Sequence, residues 1–334
     1  MKSVFIIAEA GVNHNGEAAC AFELVDAAAQ AGADAVKFQT FRPDLLAARH
    51  VQKAQYQKTQ TGSDQSQHDM LTALSLDDQV FRDLSQHCAA KNIMFLSTPF
   101  DAASADFLAS LKVPLIKISS GDLTNLPLLR HIGATKLPVI LSTGMATLGE
   151  IEASIDALEQ AGAVRQDITL LHCNTDYPTS WHDVNLRVID TLRRAFELPV
   201  GYSDHTPGIE IACAAVALGA TVIEKHFTLD RSLPGPDHMA SLEPDELASL
   251  VQSIRHIELA MGSARKVPTA SELPNHAVAR RSLVAARPIK AGEIFASDNL
   301  IAKRAGGGLS PMLWDQVIGR AAPRDFAEDE PVEL

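Results

Sequence analysis

Two segments, VGYSDHT (residues 200–206) and VIEKHFT (222–228), each begin with apolar residues and continue past a histidine. The apolar residues predict two short buried strands, so that His205 and His226 stand where each strand becomes a loop. Imidazoles at the ends of neighbouring parallel strands can bind one divalent cation and leave positions open for water or substrate. The pair therefore predicts a metal site at one end of a parallel sheet.

Carboxylates accompany both histidines, because Asp204 and Glu224 stand at matching strand ends. Acidic side chains beside a cation are typical of catalytic metal sites, where they add oxygen donors or transfer protons. This combination favours a functional site over two unrelated structural histidines.

Six further apolar runs precede these two, and the eight together predict the fold class. They lack polar alternation, as strands covered on both faces do. Amphipathic segments typical of helices lie between them, including 18–31, 77–91, 148–161 and 183–196. Eight alternating strands and helices favour an α/β fold of the (β/α)8 TIM barrel type over a doubly wound sheet. The predicted strands are 4–8, 35–38, 93–96, 115–118, 139–141, 168–171, 200–202 and 222–223.

Polar residues follow every one of these runs, where barrel enzymes carry their chemistry. The second and fourth runs contain Lys37 and Lys117, and segments rich in Ser, Thr and Gly follow the third, fourth and fifth. Two ammonium groups among hydroxyl and N–H donors would bind a phosphate and a carboxylate together. We therefore expect an anionic substrate, attracted locally against a net charge of −12.

The composition excludes several other classes of function. A net charge of −12 without a basic stripe argues against nucleic acid binding. Apolar runs fall short of the ~20 residues of a membrane span, and the N-terminus leads straight into a strand, so we expect no span and no signal peptide. The four cysteines form no CxxC pair and no disulfide framework, which favours a reducing, cytoplasmic location.

Two stretches interrupt the alternation of strands and helices. Residues 42–76 are long for a βα connection and contain a glutamine-rich part, so we expect a lid over the site. Residues 263–280 are expected to be a linker that follows a barrel domain, 1–262. The remaining residues, 281–334, have short apolar stretches and Gly and Pro turns, which predict a small domain that docks on something larger.

A series of longer motifs runs through the chain. The barrel part contains AEAGVNHNG (8–16), KFQTF (37–41), STPFD (97–101), STGMAT (142–147), HCNTDYPT (172–179), GYSDHT (201–206), EKHFTLDR (224–231) and GPDHMASLEP (235–244). The motif KRAGGGLSPM (303–312) follows in the last part. From end to end, the chain resembles the sialic acid synthases, which comprise the N-acetylneuraminate synthases and their legionaminic acid relatives. The family implies a TIM barrel followed by a small antifreeze-like β-clip (SAF) domain.

This resemblance implies that phosphoenolpyruvate condenses with an N-acyl mannosamine-type sugar in its open, aldehyde form. C3 of the enol phosphate attacks the aldehyde, water adds at C2 and phosphate leaves, giving a nine-carbon 2-keto acid. His205 and His226 would bind the divalent cation, for which Mn2+ is expected and Mg2+ or Co2+ are alternatives. Glu9 is the first candidate for proton transfer and Glu224 the second, unless Glu224 orients a metal ligand.

The matching motif positions also imply substrate contacts. Asp122 matches an acidic position near the ligands. The small domain would cross to the partner chain of a domain-swapped homodimer, where Arg304 would cover the sugar site of the other subunit. Gln39, Tyr177 and Asp237 would hold the sugar, and phosphoenolpyruvate would be held by Lys37, Thr98, Lys117, Ser120, Ser142, Thr175 and Ser203.

Two positions depart from the family pattern. Ala305 follows Arg304 where proline is usual, which frees the backbone of that loop. Thr175 stands where some members carry asparagine. Cys173, next to His172 at a strand end, is expected to be a small buried hydrophobe, since the implied reaction needs no covalent enzyme intermediate.

The natural sugar stays open at this stage. N-acetylmannosamine, which would give N-acetylneuraminate, is the first choice, and 2,4-diacetamido-2,4,6-trideoxymannose, which would give a legionaminic acid, is the alternative. The two sugars differ at two substituents that no single motif reads. A barrel aldolase with a Schiff base on Lys37 or Lys117, and a non-enzymatic carbohydrate-binding protein, are further alternatives.

Overall fold

The computed structural model describes residues 3–54, 57–58 and 66–334, in two compact units, Met1–Gly262 and Ser263–Leu334. The first unit is built on eight parallel strands. They are β1 (Phe5–Gly11), β2 (Ala35–Thr40), β3 (Met94–Pro99), β4 (Ile116–Ile118), β5 (Val139–Ser142), β6 (Ile168–Cys173), β7 (Val200–Asp204) and β8 (Val222–His226).

The strand order confirms the predicted (β/α)8 barrel. β1 pairs in parallel with both β2 and β8, and the pairing continues to β3 on one side and to β4 on the other. β3 and β4 lie side by side, so the sheet closes on itself. No helix in the described part of the chain is long and apolar enough to cross a membrane.

Helices alternate with the strands of the first unit. Three of the four predicted helices agree with the structure within one residue, whereas the fourth begins at Val188, because a 3-10 turn at Trp181–Asp183 precedes it. Further 3-10 turns are Ser120–Asp122, Arg165–Asp167 and His238–Ala240. The α-helices are α1 (Ala18–Gln30), α2 (Pro43–Leu46), α3 (Gln67–Leu74), α4 (Asp78–Ala90), α5 (Ala102–Ser110), α6 (Leu126–Thr135), α7 (Leu148–Ala161), α8 (Val188–Phe196), α9 (Glu210–Ala217) and α10 (Pro244–Met261).

Successive layers of side chains fill the barrel. The lower layer is apolar and buried, with Ile7, Ala35, Leu96, Ile140, Leu171 and Val222 in one cluster. Side chains two residues apart on a strand point to the same face of a sheet. The residues two positions further along the same strands therefore also face the interior, and they are Glu9, Lys37, Thr98, Ser142, Cys173 and Glu224.

Several strands extend beyond their predicted ends into polar sequence. β1 ends at Gly11 instead of residue 8, and β8 ends at His226 instead of residue 223. Apolarity marked only the lower part of each strand. The polar part continues the ladder, with Glu9 opposite both Lys37 and His226.

The predicted lid, 42–76, is partly described. Residues 55–56 and 59–65 lie outside the described residues, and α2 and α3 flank that gap. α3 buries Met70, Leu71 and Leu74 in a cluster that also contains Val12 and Phe41. This part of the segment is a packed helix over the barrel end.

The second unit is a small domain with its own core. β9 (Ser282–Ala285) and β10 (Leu300–Lys303) form an antiparallel pair, and single bridges join Ile289 to Phe326 and Ile294 to Ala321. The segment predicted as a linker, 263–280, carries α11 (Leu273–Ala279), and a 3-10 turn at Pro311–Leu313 leads into α12 (Trp314–Val317). The core consists of Leu283, Ala285, Ile289, Phe295, Leu300, Val317, Ala322, Phe326 and Val332.

Candidate active site

A cavity of about 410 Å³ opens at the carboxyl ends of the barrel strands. Its wall contains every predicted barrel residue except Asp122 and Asp204, and all eight strands or the loops after them contribute. The predicted residues brought together are Glu9, Lys37, Gln39, Thr98, Lys117, Ser120, Ser142, Thr175, Tyr177, Ser203, His205, Glu224, His226 and Asp237.

Two lysines and two glutamates form the floor of the cavity. Lys37 Nζ lies 2.7 Å from Glu9 Oε2 and 3.6 Å from Glu224 Oε2, and Lys117 Nζ lies 3.7 Å from Glu224 Oε1. Ser203 Oγ donates a hydrogen bond to Glu224 Oε1 at 2.9 Å. Glu224 thus has two cations and a hydroxyl donor, whereas Glu9 shares a single ammonium group with it.

This unequal support separates the two carboxyl groups in acidity. Burial raises the pKa of Glu9; the charge of Lys37 opposes this shift, and the Glu224 carboxylate adds to it. Burial acts in the same direction on Glu224, but the charges of Lys117 and Lys37 outweigh it and lower the pKa of that group. The floor therefore favours one protonated and one ionised carboxyl group.

Hydroxyl groups surround the two ammonium groups. Lys37 Nζ donates to Thr98 Oγ1 at 2.9 Å, and Lys117 Nζ donates to Ser142 Oγ at 2.6 Å. The backbone at Gly144 comes close to a further hydroxyl group, because a Cβ on this residue would lie 2.8 Å from Ser120 Oγ. The combination of charge, hydroxyl donors and close backbone approach can bind an anion.

The predicted metal ligands meet at the same cavity. The ring centroids of His205 and His226 are 5.4 Å apart, and Tyr177 lies against both, at 4.1 and 5.6 Å. Burial lowers the pKa of His205 to about 4 and that of His226 well below its usual value. Both rings are therefore neutral at pH 7, as metal ligands must be.

The donor set fits a divalent cation. His205 Nδ1 donates to the carbonyl oxygen of Asn174, which leaves Nε2 of this neutral ring unprotonated. His226 Nδ1 is buried and has no hydrogen-bond partner among the described residues. Within the described ranges, no group of three or more His, Cys, Asp or Glu side chains could hold a metal. A cation here would therefore take two imidazoles and fill its other positions with water or substrate oxygens.

The mouth of the cavity carries the predicted sugar contacts. Gln39 Nε2 lies 3.4 Å from Glu9 Oε1, which places an amide group beside the Glu9 carboxyl group. Asp237 follows the last barrel strand, and burial raises the pKa of its carboxyl group to about 6. These groups can recognise the hydroxyl and N-acyl groups of a sugar.

Two other predicted residues lie elsewhere. Asp122 is not part of the cavity wall, because its carboxylate holds a local turn and accepts hydrogen bonds from Ser119 Oγ at 2.7 Å and Asn125 Nδ2 at 3.1 Å. Arg304 belongs to the second unit, directly after β10. Cys173 is buried as expected, and its Sγ lies 3.2 Å from Ser120 Oγ.

The comparison with known proteins decides the family. A model described as the NeuB family matches residues 24–266, well over half of the chain. The chain belongs to the NeuB family. A SAF domain model matches residues 280–333, so the second unit of this NeuB family chain contains a SAF domain. The predicted resemblance is confirmed in both parts.

Several relatives of this NeuB family chain are named as sugar-acid synthases. The chain is 50% identical to the N,N'-diacetyllegionaminic acid synthase of Campylobacter jejuni, with 99% of each chain covered. It is 48% identical to the enzyme of the same name from Legionella pneumophila, over 94% of this chain and 89% of that one. A solved structure, the N-acetylneuraminic acid (sialic acid) synthetase of Leptospira borgpetersenii in complex with citrate, matches with a TM-score of 0.72 and 38% identity, over 82% of this chain and 90% of that one.

Two features of the site in this NeuB family chain differ from the predictions. Asp204 was expected to support the metal site, but it is not part of the cavity wall and instead pairs with Lys225 on the other face of the barrel strands. Asp204 follows Ser203 and Lys225 lies between Glu224 and His226, so the alternation of side chains along a strand could have indicated that Asp204 and Lys225 face away from the cavity. The apolar residues of α3 that line the cavity were not predicted either, because the prediction of a lid at 42–76 was based on the length and glutamine content of that segment.

Proposed function

We propose that this chain is an N,N'-diacetyllegionaminic acid synthase, which condenses phosphoenolpyruvate with 2,4-diacetamido-2,4,6-trideoxymannose and water and releases phosphate. The observation that carries the choice of sugar is the identity of 50% and 48% to two synthases of that name. Identity to the sialic acid synthetase is 38%. N-acetylmannosamine is the first choice from the sequence, where no single motif distinguishes the two sugars, whereas these identities support the alternative.

The lysine pair supports phosphoenolpyruvate as the donor. Lys37 and Lys117 approach Glu224 from two sides, at 3.6 and 3.7 Å. A small molecule with a phosphate and a carboxylate can engage both ammonium groups, and Thr98 and Ser142 supply hydroxyl donors beside them. An anion bound there would supply the two ammonium groups with negative charge that the two glutamates otherwise provide alone.

The separation of the two carboxyl groups supports an acid and base assignment. As C3 of the enol phosphate bonds to the aldehyde carbon, the protonated Glu9 donates its proton to the aldehyde oxygen. The ionised Glu224 takes a proton from the water that adds at C2. The bond between C2 and the phosphate oxygen then breaks, and its electron pair stays with the departing phosphate, which takes the proton held by Glu224. The C2 hydroxyl passes its proton to the carboxylate of Glu9 and becomes the keto group, so both carboxyl groups return to their starting states.

The imidazoles have a separate role. Neutral His205 and His226 would hold the divalent cation, Mn2+ in our proposal with Mg2+ or Co2+ as alternatives, which polarises the aldehyde when it is bound. Tyr177 packs against both rings and limits their movement. Gln39 and Asp237 are placed to bind the rest of the sugar.

A direct assay tests this function. Purified protein is supplied with Mn2+, phosphoenolpyruvate and either diacetamido sugar or N-acetylmannosamine, and phosphate release and product mass are measured. We expect phosphate release only with an aldehyde sugar, and kcat/KM at least about tenfold higher for the diacetamido sugar. Preference for N-acetylmannosamine would make the chain an N-acetylneuraminate synthase. A covalent adduct trapped by borohydride with pyruvate would indicate a Schiff-base aldolase instead.

A further inference from the structure

One side of the cavity is apolar. Five side chains line it: Val12, Met70, Leu71, Leu74 and Phe100, here called the apolar wall. The first four are each less than a tenth exposed. None of them carries an anion-binding group, a proton-transfer group or an oxygen or imidazole ligand. Their presence in a cavity with a charged floor therefore needs a separate explanation.

The apolar wall is held in place by the chain around it. α3, which supplies three of its members, starts with a capping box in which Ser66 Oγ accepts from Asp69 N and Asp69 accepts from Ser66 N. The loop after β1 lies against the end of this helix, because a Cβ on Gly16 would stand 2.3 Å from the Ala73 carbonyl oxygen. Gly16 also has φ of +78°, which favours glycine.

The wall lies above the reacting groups. Val12 directly follows β1, which carries Glu9, and Phe100 directly follows β3, which carries Thr98, so both stand at the carboxyl ends of strands, nearer the mouth than the floor. An open six-carbon chain, with bonds of about 1.5 Å, spans roughly 6–8 Å. A sugar with its aldehyde at the level of Glu9 would therefore bring its far carbons to the level of the wall.

We propose that the apolar wall determines the acceptor sugar, by receiving the methyl group of the C4 acetamido substituent and the C6 methyl group of a 2,4-diacetamido-6-deoxy sugar. This inference rests on the proposed function. In N-acetylmannosamine both positions carry hydroxyl groups, which would lose water at an apolar surface without gaining a partner. The groups that both sugars share would face the polar side, at Gln39, Tyr177 and Asp237.

Two substitutions in the wall test the inference. Met70→Gln preserves size and helix propensity, and Leu71→Asn is a second, independent change. Each is expected to lower the ratio of kcat/KM for the diacetamido sugar to that for N-acetylmannosamine by about tenfold or more. The KM for phosphoenolpyruvate and the affinity for Mn2+ should stay within about twofold. Leu46→Gln is the matched control, since Leu46 packs in the same cluster but does not line the cavity.

The two proposals fail in different ways. Loss of turnover by the same factor for both sugars, or an unchanged ratio in both wall variants with thermal midpoints near that of the unaltered protein, would overturn the role of the wall. A ratio that falls as much in Leu46→Gln as in the wall variants would overturn it too. Lack of turnover by the unaltered protein on either sugar would instead refute the proposed function.

Discussion

Lys225 Nζ lies 2.8 Å from Asp204 Oδ2, and both side chains are completely buried. Asp204 Oδ1 accepts hydrogen bonds from Tyr202 Oη at 3.2 Å and from the backbone N and Oγ1 of Thr206, at 2.9 and 2.8 Å. Lys225 also donates to the Thr206 carbonyl oxygen. The pair therefore fixes the backbone on either side of His205, and Lys225 directly precedes His226.

Removing one member of this pair is expected to destabilise the fold and loosen the cation site. Lys225→Met leaves a buried carboxylate without its counter-charge, which costs about 3–5 kcal/mol of the free energy of unfolding. Denaturant unfolding and Mn2+ titration measure the two effects. Lys290→Met, at the exposed pair with Asp325, is the control and should change little. Wild-type stability and Mn2+ affinity in Lys225→Met would contradict this prediction.

Turnover is expected to depend on a divalent cation at the two imidazoles. Chelation should abolish phosphate release and added Mn2+ should restore it, whereas His205→Ala or His226→Ala should lower kcat by several orders of magnitude. Electron paramagnetic resonance should show tight Mn2+ binding by the unaltered protein and not by these variants. His131→Ala, at a pair near the surface with Asp106, is the control. Full activity of His226→Ala after exhaustive chelation would exclude the assignment.

Lys37 is expected to act mainly on the anionic donor. Lys37→Met should raise the KM for phosphoenolpyruvate about ten- to hundredfold more than that for the sugar, since a charged hydrogen bond contributes about 1.5–3 kcal/mol. Steady-state kinetics with each substrate varied in turn measure the two constants. Lys91→Met, at a pair with Asp26 on the outside of the barrel, should leave both unchanged. Equal changes for donor and sugar would place Lys37 in another role.

Asp237 is expected to lower stability at neutral pH. Its pKa is raised from 3.8 to about 6 by burial, so the folded state holds a proton that the unfolded state has lost between these values. The stability this provides is present below pH 3.8 and disappears as pH rises to 6. Asp237→Asn should therefore be more stable at pH 7, by up to about 3 kcal/mol, while sugar turnover falls.

Denaturant unfolding at two pH values measures this effect. Near pH 4 the Asn variant and the unaltered protein should have similar free energies of unfolding, and at pH 7 they should differ. A difference of the same size at both values would show that the gain does not come from the ionisation of this carboxyl group.

We also expect the protein to be a two-fold dimer in which Arg304 completes the partner's site. Mixing Arg304→Ala with Glu9→Ala protein, after subunit exchange, should then restore turnover, because one mixed site contains both native residues. Solution mass and phosphate release measure assembly and rescue. Lack of rescue despite proven exchange would mean that Arg304 acts in its own chain or not at all.

The order and type of the barrel elements could be predicted from the sequence. Buried parallel strands are marked by apolar runs, which can be recognised without knowing the tertiary structure. The predicted strand ends came too early where a strand continues into polar residues that face the barrel interior, as at Glu9 and His226. The prediction was also wrong for Asp204, although the sequence held the signal: neighbouring residues of a strand face opposite sides, and Ser203 and His205 line the cavity. The contacts of α3 with the cavity depend on the path that a long loop takes back to the barrel. This path cannot be predicted from the local sequence pattern.

Among the described residues, a ladder of backbone hydrogen bonds joins every pair of neighbouring barrel strands except β3 and β4. These two strands are in contact but form no ladder. Lys37 and Thr98 stand on one side of this seam, and Lys117 and Ser142 stand on the other. Half a barrel, even if it kept its own strands, would hold only one of the two ammonium groups. A donor bound to both lysines would therefore connect the two strands that no ladder joins. Binding of the donor would then stabilise the closed barrel, and the closed barrel would favour binding of the donor.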